Sequence, residues 1–88
     1  MQVAFTKQFE KQFDKTTDYS LKNEITKLVN KTISASRISD IPNIKKLKGY
    51  KTAYRVRIGD YRIGLLIENG IVIFVVIGHR KDIYKIFP

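Results

Sequence analysis

The side chains best suited to chemistry lie in the stretch VVIGHRKDIY, residues 75–84. It runs from an apolar segment into charge and carries the only histidine, His79, next to Arg80, with Tyr84 shortly after. An imidazole exchanges protons near neutral pH, a guanidinium binds phosphate through parallel N–H bonds, and a phenol ring stacks on a nucleobase. Side chains of these types, delivered together by the end of a strand, could bind or cleave a phosphodiester.

The same residues also have a structural explanation. A lone histidine at a strand end often does no more than terminate the strand. Tyr84 could anchor the C-terminal segment against the core together with its apolar neighbours Ile83, Ile86 and Phe87. The residue types alone leave both interpretations open.

Positive charge is concentrated in residues 45–62, KKLKGYKTAYRVRIGDYR. This segment holds seven basic residues and one acid, a balance of +6, out of +9 for the whole chain. Its basic residues are Lys45, Lys46, Lys48, Lys51, Arg55, Arg57 and Arg62. Such a concentration favours a polyanionic partner such as nucleic acid, although a solubilising surface would have the same composition.

Size and composition limit the kind of site that is expected. A chain of 88 residues should form one domain, residues 1–88, with an open face or groove rather than a deep pocket. The absence of cysteine excludes disulfides and thiolate chemistry. The N-terminal stretch is interrupted by charges, and the longest uncharged run, NGIVIFVVIGH, is too short to span a bilayer. We therefore expect a cytoplasmic protein with no membrane association.

The order of helices and strands follows from the apolar periodicity. Phenylalanine recurs at every fourth position from Phe5 to Phe13 and predicts a helix, after a short strand at 2–5. Asp18 or its neighbour Thr17 would cap a second helix that ends near residue 35. A serine-containing loop, 34–51, then leads to three strands, at 52–58, 61–68 and 71–78. The sequence predicts an α+β fold of order β-α-α-β-β-β.

The first predicted hairpin turns at Gly59-Asp60, and a two-residue turn fixes the pairing of its strands. Arg57 should then lie opposite Arg62, on the same face as Arg55. Directly opposed like charges destabilise a sheet, and a bound anion would offset that cost. The alternative is that these arginines extend into water or pair with acids such as Asp60 or Glu68.

The second predicted hairpin turns at Asn69-Gly70. Its pairing should place Arg62 opposite Ile77 and Gly64 opposite Val75, and should bring His79 to the arginine side. Gly64 would leave a gap that the backbone of a ligand could approach. An apolar strip beside the arginines would need a partner, and its predicted members are Ile71, Ile73, Val75 and Ile77.

The segments NIKKLKG, YRVRIGDYR and GHRKDIY, in this order and spacing, resemble the RelE/ParE toxin superfamily of bacterial and archaeal toxin–antitoxin systems. The resemblance covers nearly the whole chain. It implies an N-terminal short strand and a helical hairpin packed on an antiparallel sheet. It also implies a cognate antitoxin as partner, in a toxin–antitoxin hetero-oligomer.

For RelE-like members the resemblance implies cleavage of mRNA in the ribosomal A site, without metal or cofactor. The family's basic and aromatic positions fall on Arg55 and Arg57, on Arg62 and Arg80, and on Tyr84. Some members have lysine where Arg55 and Arg57 stand, and arginine cannot act as a base. The base would then be His79 or Tyr84. We expect the RNA phosphates to bind Arg55, Arg57, Lys45, Lys46, Lys48 and Lys51.

The resemblance leaves the target open. ParE-like members of the same superfamily inhibit DNA gyrase and cleave nothing. A third alternative is an inactive remnant that only binds its antitoxin. The second-strand arginines, Arg55 and Arg57, favour the endoribonuclease, as does the complete set Arg62, Arg80 and Tyr84. The missing second-strand lysine favours the other two.

Overall fold

A computed structural model describes residues 1–88 as a five-stranded sheet with two helices packed on one of its faces. The strands are β1 (Gln2–Phe5), β2 (Ile44–Lys46), β3 (Ala53–Ile58), β4 (Tyr61–Glu68) and β5 (Ile71–His79). The helices are α1 (Lys7–Lys15), α2 (Tyr19–Ser34) and the short α3 (Ile83–Ile86). The sheet order is β1-β5-β4-β3-β2. The predicted α+β class is confirmed, but the sheet is mixed, because β1 runs parallel to β5.

Both long helices begin at side-chain caps. The Phe9 N–H donates to the Thr6 hydroxyl at 3.1 Å, and the Leu21 N–H donates to the Asp18 carboxylate at 3.1 Å. These bonds satisfy backbone donors that lack partners in the first helical turn. Of the two caps predicted for α2, Asp18 is the one that forms.

The main core lies between the sheet and helices α1 and α2. It contains Phe9, Leu21, Ile25, Leu28, Ile41, Val56, Ile63, Leu65, Ile67, Val72, Phe74 and Ile77. A second, smaller cluster lies on the opposite face of the sheet and contains Leu47, Ala53, Val76, Ile83 and Phe87. The second cluster fixes the C-terminal segment to the sheet.

The segment predicted as a loop, 34–51, has more structure than its composition indicates. Ile38–Asp40 form one 3-10 turn, and β2 pairs with the outer edge of β3. The segment is fixed by two buried apolar side chains, Ile41 in the main core and Leu47 in the second cluster. β2 could not be recognised from the sequence, because it has three residues and two of them are consecutive lysines, which show no alternation of apolar and polar side chains.

The first hairpin pairs as predicted, with Ile58 opposite Tyr61, Arg57 opposite Arg62 and Arg55 opposite Gly64. The second hairpin begins as predicted at Glu68 and Ile71, but its register shifts between Gly64 and Leu65. Leu65 lies opposite Phe74 and Gly64 opposite Val76, so Val75 is an extra residue in β5. The predicted pairs of Arg62 with Ile77 and of Gly64 with Val75 are therefore wrong.

Contacts from β1 and α1 accompany this bulge. Where β1 ends, the Thr6 N–H donates to the Phe74 carbonyl and the Thr6 hydroxyl donates to the Val75 carbonyl. Beyond the end of β1, the side-chain amide of Gln12 makes the hydrogen bonds to β5 that a neighbouring strand would make. It donates to the Ile77 carbonyl at 3.0 Å and accepts from the Ile77 N–H at 2.8 Å. Beyond the bulge the alternation is reversed, so Ile77 enters the main core instead of the apolar strip.

Candidate active site

Cross-strand pairing brings basic side chains together on the face of the sheet that is turned away from α1 and α2, here called the arginine face. Arg57 lies opposite Arg62, and Arg55 is flanked by Lys45 on β2 and Gly64 on β4. Residues directly opposite each other point to the same side of a sheet. The predicted grouping of Arg55, Arg57 and Arg62 is therefore present.

The C-terminal segment closes over two glycines on the arginine face. A Cβ atom at Gly64 would lie 2.7 Å from Cγ of Phe87, and one at Gly78 would lie 2.9 Å from Cδ1 of Ile86. The predicted gap above Gly64 is therefore not open to a ligand, because the Phe87 ring occupies it. The glycines instead allow the chain after β5 to dock closely on the sheet.

Docking of this segment leaves the Tyr84 ring in solvent. Ile83 is 1% exposed and Phe87 is 5% exposed, whereas Tyr84 is 74% exposed. The guanidinium carbon of Arg55 lies 5.0 Å from the centre of the Tyr84 ring, within the range of a cation–π contact. The anchoring role considered for Tyr84 belongs to its neighbours, and its ring is free for another purpose.

An open groove of about 450 Å³ lies beside Tyr84 on the arginine face. Its lining residues are Arg55, Arg62, Arg80, Lys81, Ile83 and Tyr84. Three of the four predicted catalytic residues thus meet in one place. Lys81 was not among the predicted site residues, and its position directly after Arg80 was the only signal in the sequence.

The turn between β3 and β4 holds both cations at the centre of the groove. Arg62 donates from one terminal nitrogen to the carbonyls of Gly59, at 3.0 Å, and of Tyr61, at 2.9 Å. The backbone N–H of Arg80 donates to the backbone carbonyl of Asp60 at 2.8 Å, and the side-chain Nε of Arg80 lies 3.7 Å from the Asp60 carboxylate. The Asp60 contact is made through Nε, so both terminal nitrogens of Arg80 can still bind a phosphate.

Among the arginines of this face, Arg80 has an acidic partner and the other three have none. The salt bridges of the structure join Lys27 to Glu24, Arg37 to Asp40 and Arg80 to Asp60. Arg55, Arg57 and Arg62 take part in none of them, so the pairing with Asp60 or Glu68 considered above does not occur. The opposed arginines Arg57 and Arg62 therefore face each other without an acid to offset their repulsion.

His79 lies elsewhere. It pairs with Tyr61, a residue of the helix-side face, and the two rings meet edge to face with centres 5.6 Å apart. Its Nδ1 accepts the Lys81 N–H at 3.2 Å, which ties the strand end to the following turn. The prediction that His79 shares a face with Arg62 is wrong, because the bulge at Val75 shifts the alternation by one residue.

The four predicted lysines are exposed and differ in position. Lys45 lies on the arginine face opposite Arg55, whereas Lys46 donates to the Tyr50 carbonyl at 2.7 Å. Lys48 and Lys51 lie in the turn between β2 and β3. Only Lys45 directly extends the row of arginines.

No group of three or more His, Cys, Asp or Glu side chains is placed to hold a metal ion. None of the helices has the length and apolar character needed to cross a membrane.

The chain matches a known family in sequence and in fold. Residues 3–84 match the family model described as "ParE toxin of type II toxin-antitoxin system, parDE". The chain is 35% identical to Toxin RelE3 of Methanocaldococcus jannaschii, over an alignment of 89 positions that covers all of both chains.

Solved structures agree with this match. The RelB-RelE antitoxin-toxin complex from Methanococcus jannaschii contains a chain that is 32% identical, with a TM-score of 0.80 over 97% of this chain and 99% of that chain. The intact Escherichia coli RelBE toxin-antitoxin complex shares the fold, with a TM-score of 0.69 over 89% of this chain and 94% of that chain, at 18% identity. The chain belongs to the RelE/ParE superfamily of toxins of type II toxin–antitoxin systems.

Proposed function

We propose that this toxin is a ribosome-dependent mRNA endoribonuclease of the RelE kind, acting in the cytoplasm and neutralised by a cognate antitoxin. The observation that carries the proposal is the convergence of Arg62, Arg80 and the exposed Tyr84 ring in one open groove. Two guanidinium groups suit a phosphate that gains negative charge, and an exposed aromatic ring suits an unstacked base.

In the proposed reaction the RNA supplies both the nucleophile and the leaving group, and the groove side chains supply charge stabilisation and proton transfer. The ribose 2′-oxygen forms a bond to the neighbouring phosphorus while its proton is removed, and the bond from phosphorus to the 5′-oxygen breaks. The 5′-oxygen then takes up a proton, leaving a 2′,3′-cyclic phosphate and a 5′-hydroxyl. Negative charge grows on the phosphate oxygens during this step, where Arg62 and Arg80 stabilise it.

Proton transfer is assigned to Tyr84. Two groove side chains carry an exchangeable proton, the Tyr84 hydroxyl and the Lys81 ammonium, and arginine holds its proton at any working pH. His79 packs on Tyr61 at the helix-side face and does not line the groove. In its deprotonated form Tyr84 would accept the 2′-hydroxyl proton, and the phenol so formed would give a proton to the leaving 5′-oxygen.

The ribosome has a physical role in this proposal. The groove is open and shallow, so it cannot by itself force an RNA strand into the in-line geometry that the reaction needs. The A site presents message as a positioned single strand. Arg57 and Lys45, both exposed, would contact the phosphates that flank the cleaved bond.

The antitoxin is proposed from the similarity to toxins whose structures were solved as RelB–RelE complexes. The arginine face also carries a half-buried apolar strip formed by Leu66, Ile71, Ile73 and Val75. An acidic, amphipathic antitoxin segment that gains order on binding would cover both the strip and the unpaired arginines.

The test is cleavage of a defined message by purified toxin, with and without ribosomes. Wild-type toxin should cut the message only when it is ribosome-bound, leaving ends that primer extension can map. Arg80→Ala, purified in the same way, should leave the message intact over the same time. A wild-type toxin that leaves ribosome-bound message uncut would refute the proposal.

The second candidate is a non-enzymatic gyrase inhibitor, and the match of residues 3–84 to a ParE model favours it. Such a toxin would block DNA supercoiling by purified gyrase while translation continues. The two candidates give opposite results in the supercoiling and message-cleavage assays, so one preparation of toxin decides between them.

A further inference from the structure

Arg55 differs from the other arginines of the groove in what its guanidinium contacts. Arg62 and Arg80 are held by oxygen atoms of the turn between β3 and β4. Arg55 makes no salt bridge and instead lies over the Tyr84 ring, with its guanidinium carbon 5.0 Å from the ring centre. It is half-buried on β3, the strand next to the edge of the sheet, between Lys45 on β2 and Gly64 on β4.

The Arg55 guanidinium is the cationic group that lies against the Tyr84 ring. The backbone on both sides of Tyr84 is fixed, because Ile83 and Phe87 are buried on the arginine face. The Tyr84 side chain itself is 74% exposed, so little packing restricts its rotation. A guanidinium against one face of the ring therefore selects one orientation and leaves the opposite face open to solvent.

We propose that Arg55 is a positioning residue that holds the Tyr84 ring with one face covered, so that the free face stacks on a single nucleobase. This role rests on the proposed function, and it replaces the phosphate contact expected for Arg55 from the sequence. A ring covered on one face accepts one base rather than being sandwiched between two, which fixes the register of the RNA over Arg62 and Arg80.

The first test is a double-mutant cycle on RNA binding, measured by fluorescence anisotropy with a fully 2′-O-methylated single-stranded oligonucleotide that cannot be cleaved. Arg55→Met keeps the aliphatic stem and removes the cation. It should weaken binding about tenfold, in line with the loss of one stacked base. In the Tyr84→Ala background the same substitution should change affinity less than about twofold, because Arg55 acts through Tyr84. Equal effects in both backgrounds would overturn the proposal.

The salt dependence of binding separates positioning from phosphate contact. A residue that neutralises one phosphate of a single strand contributes about 0.7 to the slope of log K against log salt. Arg57→Met is the matched control, since Arg57 lies on the same strand and face but is exposed and touches no ring. Arg57→Met should lower the slope, and Arg55→Met should leave it unchanged. A slope lowered equally by both would identify Arg55 as a phosphate ligand.

A measurement without RNA keeps this inference distinct from the proposed function. Nuclear Overhauser contacts between Arg55 and the Tyr84 ring protons should be present in wild-type toxin, and the ring signals should move in Arg55→Met but not in Arg57→Met. Absence of these contacts would overturn the proposed contact between Arg55 and the Tyr84 ring, here called the clamp. A wild-type toxin that shows them but neither binds the oligonucleotide nor cleaves message would refute the proposed function and the nucleobase role, while the clamp itself would stand.

Discussion

The ring of Phe87 lies directly against the backbone of Gly64, so close that a Cβ atom at Gly64 would come within 2.7 Å of the ring carbon Cγ. Gly64 also borders the irregularity in the pairing of β4 with β5. Phe87 is 5% exposed and belongs to the second cluster, which fixes the segment that carries Tyr84. The lack of a side chain at Gly64 allows Phe87 to dock on β4, and this docking determines where the chain places Tyr84.

Gly64→Ala should therefore displace the C-terminal segment. A methyl group that meets a rigid ring forces overpacking, which costs about 1–3 kcal/mol in the free energy of unfolding. Gly78→Ala should cost less, because its new Cβ meets Cδ1 atoms at the flexible ends of Ile86 and Ile83. Urea unfolding of both variants measures the difference. A Gly64→Ala protein as stable as the wild type would contradict the role assigned to this contact.

Gln12 should be needed for the stability of the sheet beyond the end of β1. Its amide makes two hydrogen bonds to the backbone of Ile77, and Gln12→Ala would leave both backbone groups without a protein partner. The expected loss is about 1–3 kcal/mol in the free energy of unfolding. Gln8→Ala is the matched control, because Gln8 is exposed one turn earlier on the same helix. Equal stabilities of the two variants, measured by urea unfolding, would show that these bonds contribute nothing.

These contacts also explain which features the sequence could predict. The first hairpin was predictable because a two-residue turn alone fixes its register, and the three arginines follow from it. The second hairpin was not, because its bulge lies beside bonds from Thr6 and Gln12, which are distant in sequence from Val75. One extra residue reverses the alternation, and His79 therefore lies on the opposite face from the one predicted.

The rest of the site escaped prediction for similar reasons. A Lys-Lys pair in a three-residue edge strand has no readable period, so β2 was assigned to a loop. The position of Lys81 in the groove depends on how the turn after β5 docks, which the buried Ile83 side chain determines. The exposure of Tyr84 follows from the burial of its neighbours and from the glycines beneath them, and residue types alone could not distinguish anchor from exposed ring.

Arg80→Ala should abolish most of the activity without unfolding the toxin. Loss of one preorganised cation at a developing negative charge costs about 3 kcal/mol, or about a hundredfold in the rate of message cleavage. Its side chain is 55% exposed and its salt bridge to Asp60 is a surface pair, so stability should change by less than about 1 kcal/mol. Arg37→Ala removes a comparable surface pair, with Asp40, outside the groove and should leave the cleavage rate unchanged. Equal activity of the two variants would remove Arg80 from the mechanism.

Tyr84→Phe and His79→Ala should separate the two candidate bases. If Tyr84 moves the 2′-hydroxyl proton, Tyr84→Phe should slow single-turnover cleavage about a hundredfold or more, since general acid–base catalysis contributes at least that much. The ring remains, so message binding should change little. His79→Ala should affect stability through its Tyr61 contact more than the cleavage rate. A normal rate in Tyr84→Phe, with loss of activity in His79→Ala, would show that His79 and not Tyr84 moves the proton.

Charge reversal on the arginine face should weaken the proposed antitoxin complex. Arg57 and Arg62 lie opposite each other without acidic partners, so an acidic antitoxin segment would gain from both charges. The variant Arg57→Glu/Arg62→Glu should lose at least about tenfold in affinity for the cognate antitoxin, measured by calorimetry.

A control for this effect must change the net charge equally at another place. Lys7→Glu/Lys11→Glu does so on the exposed side of α1, on the opposite face of the sheet. If only general attraction between a basic toxin and an acidic antitoxin mattered, both double variants would weaken the complex equally, and added salt would remove the difference from wild type. If the antitoxin covers the arginine face, the arginine variant should lose much more affinity, and Ile73→Ser in the apolar strip should weaken the complex even at high salt. Unchanged affinity in the arginine variant would place the antitoxin on another surface.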